Sequence, residues 1–250
     1  MKNLVRMLLT ASLMVCAAPY ARTDSPPNGI TPDKLANAKA VEEKGDLARA
    51  HNDNALAASY YLTALRIDRQ NADLYNKLGV AELKLGDLSA AHKYFVRAVK
   101  YKPQDAVALN NLGATACLDR KYKLAVGYLK QALALDEPQA PTHINLAEAW
   151  IGLHETDRAM TEYTRALELD PDALSENESG TLARVSTPEQ RARADYIIAK
   201  TYAKRGNLEG ALEYLQRAKE GRYPDLAKVY TDPEFAPLWK DPRLAKIIKQ

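Results

Sequence analysis

Four histidines, two cysteines and a recurring set of asparagines are the side chains of this 250-residue chain best placed for chemistry, and their spacing decides which kind. His51, His92, His143 and His154 never fall one helical turn apart, so no two imidazoles form a ligand pair on one helix face. His154-Glu155 opens like the metalloprotease pattern, in which two histidines hold zinc and the glutamate acts as base. The second-histidine position, however, holds Arg158. There is no phosphate-binding glycine loop, no G-x-S-x-G elbow and no Cys-x-x-Cys. Cys117 reads as a small packed or groove-lining residue rather than a nucleophile. Most carboxylates fall at exposed helical positions and read as solvated surface. No catalytic residue, cofactor or metal site is expected. The asparagines are different. Asn76 and Asn110 stand 34 residues apart, and so do Asn111 and Asn145. An amide both donates and accepts, so such a row suits recognition rather than catalysis.

The same interval runs through the chain. Gly45, Gly79, Gly113 and Ala147 form one column at 34-residue spacing. Ala57, Ala91, Ala125 and Ala159 form a second, and Ala64, Ala98, Ala132 and Ala166 a third. A fifth unit resumes after an 18-residue insertion, with Ala199, Ala211 and Ala218 in the three columns. Counting each unit from residues 38, 72, 106, 140 and 192, the small residues at positions 8 and 20 let two helices approach closely. A large apolar residue at position 24 is expected to fill space against the neighbouring repeat, and Ala at position 27 to admit the next helix. Pro near position 32 ends the second helix, and Gly86-Asp87 and Gly206-Asn207 supply turns inside hairpins. One such unit cannot bury its apolar face, whereas a stack can.

These columns resemble the tetratricopeptide repeat, a helix-turn-helix with the pattern W-x2-L-G-x2-Y, then A-x3-F, then P. Residues 72–105 match best, through Tyr75, Leu78-Gly79, Ala91-x3-Phe95, Ala98 and Pro103. Leu112-Gly113, Ala125-x3-Leu129 and Ala132 carry the third unit, with Pro138 one place late. Leu146-Ala147-x2-Trp150, Ala159-x3-Tyr163, Ala166 and Pro171 carry the fourth. The first keeps Gly45, Ala57-x3-Tyr61 and Ala64, and the fifth Ala199-x2-Tyr202, Ala211-x3-Leu215, Ala218 and Pro224. The expected fold is therefore an all-α solenoid of about five helix-turn-helix repeats with a C-terminal helical cap.

In such arrays the stripe at positions 2, 6, 9 and 13 of each first helix lines a concave groove where partners bind, and the resemblance implies the same here. The stripe maps to Lys39, Glu43 and Asp46, then Asp73, Lys77, Val80 and Lys84. It continues through Val107, Asn111, Ala114 and Leu118, then Asn145, Glu148 and Gly152, and ends with Arg193, Ile197, Lys200 and Lys204. Its centre is small and apolar, leaving room for a partner's side chains. Asn76, Asn110, Asn111 and Asn145 are expected to bond the backbone of an extended peptide, as asparagine rows do in some family members. Chaperone-binding members instead clamp a C-terminal carboxylate. That frame, read onto repeats two to four, gives Asn76, Val80, Asn111, Pro141 and Asn145, of which only Asn111 agrees.

The flanks complete the organisation. Residues 1–21 carry Lys2 and Arg6, an apolar run from Met7 to Ala18 and small residues at Ala17, Ala18 and Ala21, as a cleaved export signal does. Export to the periplasm or cell envelope is the expectation if the source is bacterial, with membrane contact only if the signal stays uncleaved. Cleavage there would leave 33 basic against 32 acidic residues, a balance that argues against a nucleic-acid partner. Residues 22–37 read as a linker leading into a helix capped by Thr31 and begun by Pro32, and 174–191 as an inserted loop. The loop ends in the capping box Thr187-Pro188-Glu189-Gln190. Residues 226–250 read as short capping helices, with Asp232-Pro233 and Asp241-Pro242 as helix starts. The functional expectation is a non-catalytic scaffold or assembly factor that binds a protein or peptide. Self-association through the convex face is the alternative, and an enzyme the remote one.

Overall fold

The computed structural model describes residues 31–135, 139–174 and 187–249, and all their regular structure is helical. The segment read as an export signal, the first part of the linker, Pro138 and most of the insertion lie outside the described residues. Five hairpins follow one another: α1 (Pro32–Ala50) with α2 (Asn54–Ile67), α3 (Ala72–Lys84) with α4 (Leu88–Tyr101), and α5 (Ala106–Leu118) with α6 (Tyr122–Leu135). Next come α7 (Ala140–Gly152) with α8 (Thr156–Leu169), then α9 (Pro188–Lys204) with α10 (Leu208–Glu220). Each second helix packs on the next first helix, and α9 rests on α8, so the hairpins stack into a solenoid.

Short polar side chains start most of these helices by satisfying backbone N–H groups that have no partner inside the helix. Thr31, Asp53, Asn71, Asp87, Asp105, Thr187 and Asn207 each accept from an N–H three residues on. At Thr187 the bond is reciprocal, since Gln190 Oε1 accepts from the Thr187 N–H at 3.0 Å. α9 thus begins at Pro188, and the last residues of the span read as a loop are already helical.

The columns set how closely the helices approach. A Cβ on Gly79 would stand 2.6 Å from the Phe95 ring, and one on Gly113 would stand 2.5 Å from Leu129. The large residue at position 24 therefore fills the gap left by position 8 of its own hairpin, not only the space against a neighbouring repeat. The alanines at position 20 (Ala57, Ala91, Ala125, Ala159 and Ala211) are completely buried.

The C-terminal end is covered by two 3-10 turns, Leu226–Tyr230 and Pro233–Leu238, and a last helix, α11 (Pro242–Lys249). Val229, Phe235, Leu238 and Leu244 are fully buried there, while Trp239 stays partly exposed and its Nε1–H donates to the Val229 carbonyl at 2.9 Å. Asp232 stands at the start of the second turn but makes no side-chain cap. Its carboxylate instead accepts from the Tyr196 hydroxyl at 2.9 Å and pairs with Lys200 at 3.1 Å, which draws the cap onto α9.

Candidate functional site

The first helices lie side by side, and residues of the expected groove join them. Asn111 Nδ2 donates to Asn76 Oδ1 at 2.9 Å, and Asn145 Nδ2 donates to Asn110 Oδ1 at 2.9 Å. The asparagine row therefore works first as a ladder between consecutive repeats. A side chain at position 6 reaches back to position 5 of the preceding helix, which the 34-residue spacing alone does not reveal. Lys77 is also committed internally, to Glu42 Oε1 and Asp46 Oδ2 at 2.6 Å each. Lys200 is drawn into the C-terminal cap by Asp232 and by Glu234 at 3.3 Å. Both lysines were expected to meet a partner, and in the structure each is paired with nearby carboxylates. Lys84 and Lys204 are exposed at helix ends, Val80 is half-buried and Ala114 is buried.

Leu118 and Glu148, from different repeats, meet in one place. With Gly152 and Arg193 of the same stripe they line a cavity of about 440 Å³ among α5, α7 and the start of α9. Two features hold it open. Gly152 leaves space that the Tyr122 ring occupies, since a Cβ there would stand 2.3 Å from the ring. The Tyr122 hydroxyl in turn accepts from Gln190 Nε2 at 2.9 Å, tying α6 to the first turn of α9. At the mouth, the Arg193 guanidinium lies 3.1 Å from His154 Nδ1. Tyr122 and Ile151 were invisible to sequence reasoning and Gln190 was legible only as part of a capping box, because the cavity exists only once the fifth hairpin is placed beyond the insertion. Gly152 carried a signal, a glycine where the other repeats have Ala50, Lys84, Leu118 and Lys204.

Two titratable groups stand on the cavity wall. Cys117 is buried, its thiol directed at the Asn145 carbonyl at 3.8 Å, and burial beside Glu148 pushes its pKa far above the usual thiol range. Both effects favour the protonated thiol on the cavity wall. Glu148 lies deep between α7 and α8 with part of its side chain open to the cavity, and the Tyr163 hydroxyl donates to its Oε1 at 2.7 Å. Burial pushes its carboxyl up to about 7; the Tyr163 hydrogen bond offsets this in part, and the nearby Asp195 charge adds to it. Among the described residues no cluster of His, Cys, Asp and Glu could hold a metal ion, and no helix is long and apolar enough to cross a membrane.

Comparison with known proteins places this geometry. Two profiles described as tetratricopeptide repeat match the chain, one over residues 42–106, 76–144 and 180–227, the other over 118–176. Anaphase-promoting complex subunit 6 of Arabidopsis thaliana is 31% identical over 146 residues, covering 56% of this chain and 25% of that protein. Human DnaJ homolog subfamily C member 7 is 24% identical over 177 residues, covering 66% of this chain and 36% of that protein. The chain thus spans only about a quarter to a third of the length of these relatives. Among solved structures, MamA superposes with a TM-score of 0.51 at 22% identity, covering 71% of this chain and 94% of that one. The tetratricopeptide-repeat protein YrrB gives 0.51 at 22% identity, covering 78% and 91%. With its 34-residue columns, stacked hairpins and profile matches over most of its length, the chain belongs to the tetratricopeptide repeat family.

Proposed function

We propose that this protein is a non-catalytic scaffold that holds a partner protein or peptide against the face formed by its first helices, and that it is exported to the cell envelope if its source is bacterial. The observation carrying the proposal is the cavity of about 440 Å³, which three successive repeats leave open on that face instead of packing it shut. A pocket of this size that sets apolar groups (Leu118, Ile151 and the Tyr122 ring) beside polar ones (Glu148, Gln190 and Arg193) can hold a side chain of a bound segment. The relatives support the reading by their names. YrrB is described as having an unusual peptide-binding site, and the Arabidopsis relative is a subunit of a complex.

Affinity capture from the native envelope fraction tests it, comparing the chain with a Leu118→Arg variant that fills the cavity mouth. Loss of one specific protein in the variant, with unchanged circular dichroism, supports the first-helix face. Equal recovery by both moves binding elsewhere. A molecular size that rises with concentration, with nothing captured, supports self-association instead.

A further inference from the structure

Two hairpins carry the same acid–tyrosine pair. In the first repeat the Tyr61 hydroxyl donates to Asp46 Oδ1 at 2.8 Å; in the fourth, the Tyr163 hydroxyl donates to Glu148 Oε1 at 2.7 Å. Both acids stand at position 9 and both tyrosines at position 24. Among the described residues, the first acid alone is paired with a cation. Lys77, at position 6 of the next repeat, brings its ammonium 2.6 Å from Asp46 Oδ2 and 2.6 Å from Glu42 Oε1. Burial by itself raises the Asp46 carboxyl, but the hydrogen bonds from Lys77 and Tyr61 outweigh it and hold the group below its usual range.

Glu148 has no such neighbour. Position 6 of the fifth repeat is Ile197, a buried apolar residue, and among the described residues no cation is bonded to Glu148. Instead of a lysine, the structure has the open cavity. Of the arginines on its lining, Arg193 lies 3.1 Å from His154 Nδ1, and among the described residues neither it nor Arg120 is bonded to Glu148. A carboxylate buried without a counter-ion is costly, and a cation that reaches it recovers much of that cost.

We infer that this cavity receives a lysine or arginine side chain from an extended segment of the partner, its cation pairing with Glu148 as Lys77 pairs with Asp46. The aliphatic stem of such a side chain matches the apolar part of the wall, Leu118, Ile151 and the Tyr122 ring. The inference rests on the first-helix face being the partner surface.

The probes are two N-acetylated, C-amidated peptides of four alanines around one central residue, lysine in one and uncharged norleucine in the other. Each is titrated into the full, 15N-labelled chain while the amide signals of Leu118 and Gly152 are followed. The lysine peptide is expected to shift both signals and to bind about tenfold or more tightly than the norleucine peptide, as a charge-assisted bond to a buried acid would give. Glu148→Gln keeps the shape and a hydrogen bond to Tyr163, and it should erase that difference. Equal binding of the two peptides, or no shift with the lysine peptide, overturns the inference. The wild-type comparison decides alone if Glu148→Gln does not fold. A native partner lost by Leu118→Arg but kept by Glu148→Gln also overturns it, while leaving the wider reading of the face intact.

Discussion

At the scale of single residues, Glu148 gives the protein a pH dependence that a surface carboxylate would not. Its carboxyl lies near 7 in the folded chain against an ordinary 4.5, raised by burial, partly offset by Tyr163 and raised again by Asp195. Across that window the folded state keeps a proton that the unfolded state has released. The stability it contributes is complete below about pH 4.5 and is lost as pH rises through about 7. The groups facing it are Tyr163 on α8, Cys117 on α5 and, on α9, Asp195 and Arg193. Glu148→Gln should flatten the slope between about pH 5 and 7 and stabilise the chain by roughly 1–3 kcal/mol near pH 8. Denaturant curves at several pH values read both effects; an unchanged slope would assign the titration to another group. Gly79 makes a second residue-scale prediction. Gly79→Val drives side-chain atoms into the Phe95 ring and should cost about 1–3 kcal/mol in the same assay. That pairing of a small residue with a large one was legible as columns, although the columns alone did not say which hairpin each large residue fills. The asparagine row was legible as a spacing but not as a ladder, because bonds between positions 6 and 5 depend on the stagger of adjacent helices.

At the scale of elements, the turns inside the hairpins are unequal. Gly86 and Gly206 take the left-handed conformation that the sequence announces, with φ of 86° and 79°. The same column holds Asn52, Arg120 and His154 at φ of 60°, 57° and 62°. For residues with a Cβ this conformation costs about 1–2 kcal/mol, less for Asn. The helix starts beside the two strained turns are weaker as well, since Lys121 has no acceptor to cap with and Glu155 makes no cap bond. Arg120→Gly and His154→Gly should each raise stability by up to about 1 kcal/mol, and Lys121→Asp by a similar amount through a new N-cap. Thermal melts of the three variants check this, and a fall in Tm for the glycine variants would show that local contacts outweigh the strain. The caps at Thr31 and Thr187 could be read from the chain because a short polar residue just before a proline and a helical run has one main use. The strained turns could not, because the tight turn inside each hairpin requires that conformation of whatever residue occupies the column.

At the scale of the molecule, the C-terminal end of the stack is covered. Val229, Phe235, Leu238 and Leu244 close it, and Asp232 and Glu234 hold it to Lys200 on α9. Removing residues 226–249 would bare the apolar side of α9 and α10 and leave Lys200 without its carboxylates. The truncated chain should self-associate on size exclusion and melt at lower temperature, and a soluble monomer with unchanged Tm would deny the segment that role. The cap was legible as proline-started apolar segments; its attachment was not, because Asp232 turns from capping its own turn to bonding Tyr196 and Lys200. One further bond bears on how the molecule yields to force. Repeat arrays unravel neighbour by neighbour from an end, each step releasing one hairpin's length of chain. The Tyr122–Gln190 hydrogen bond spans 68 residues and stitches the third hairpin to the fifth past the fourth. Pulled from its ends in an optical trap, the chain should shed its first hairpins singly and then give way from Tyr122 onward in one longer rip, which Tyr122→Phe would divide into shorter ones.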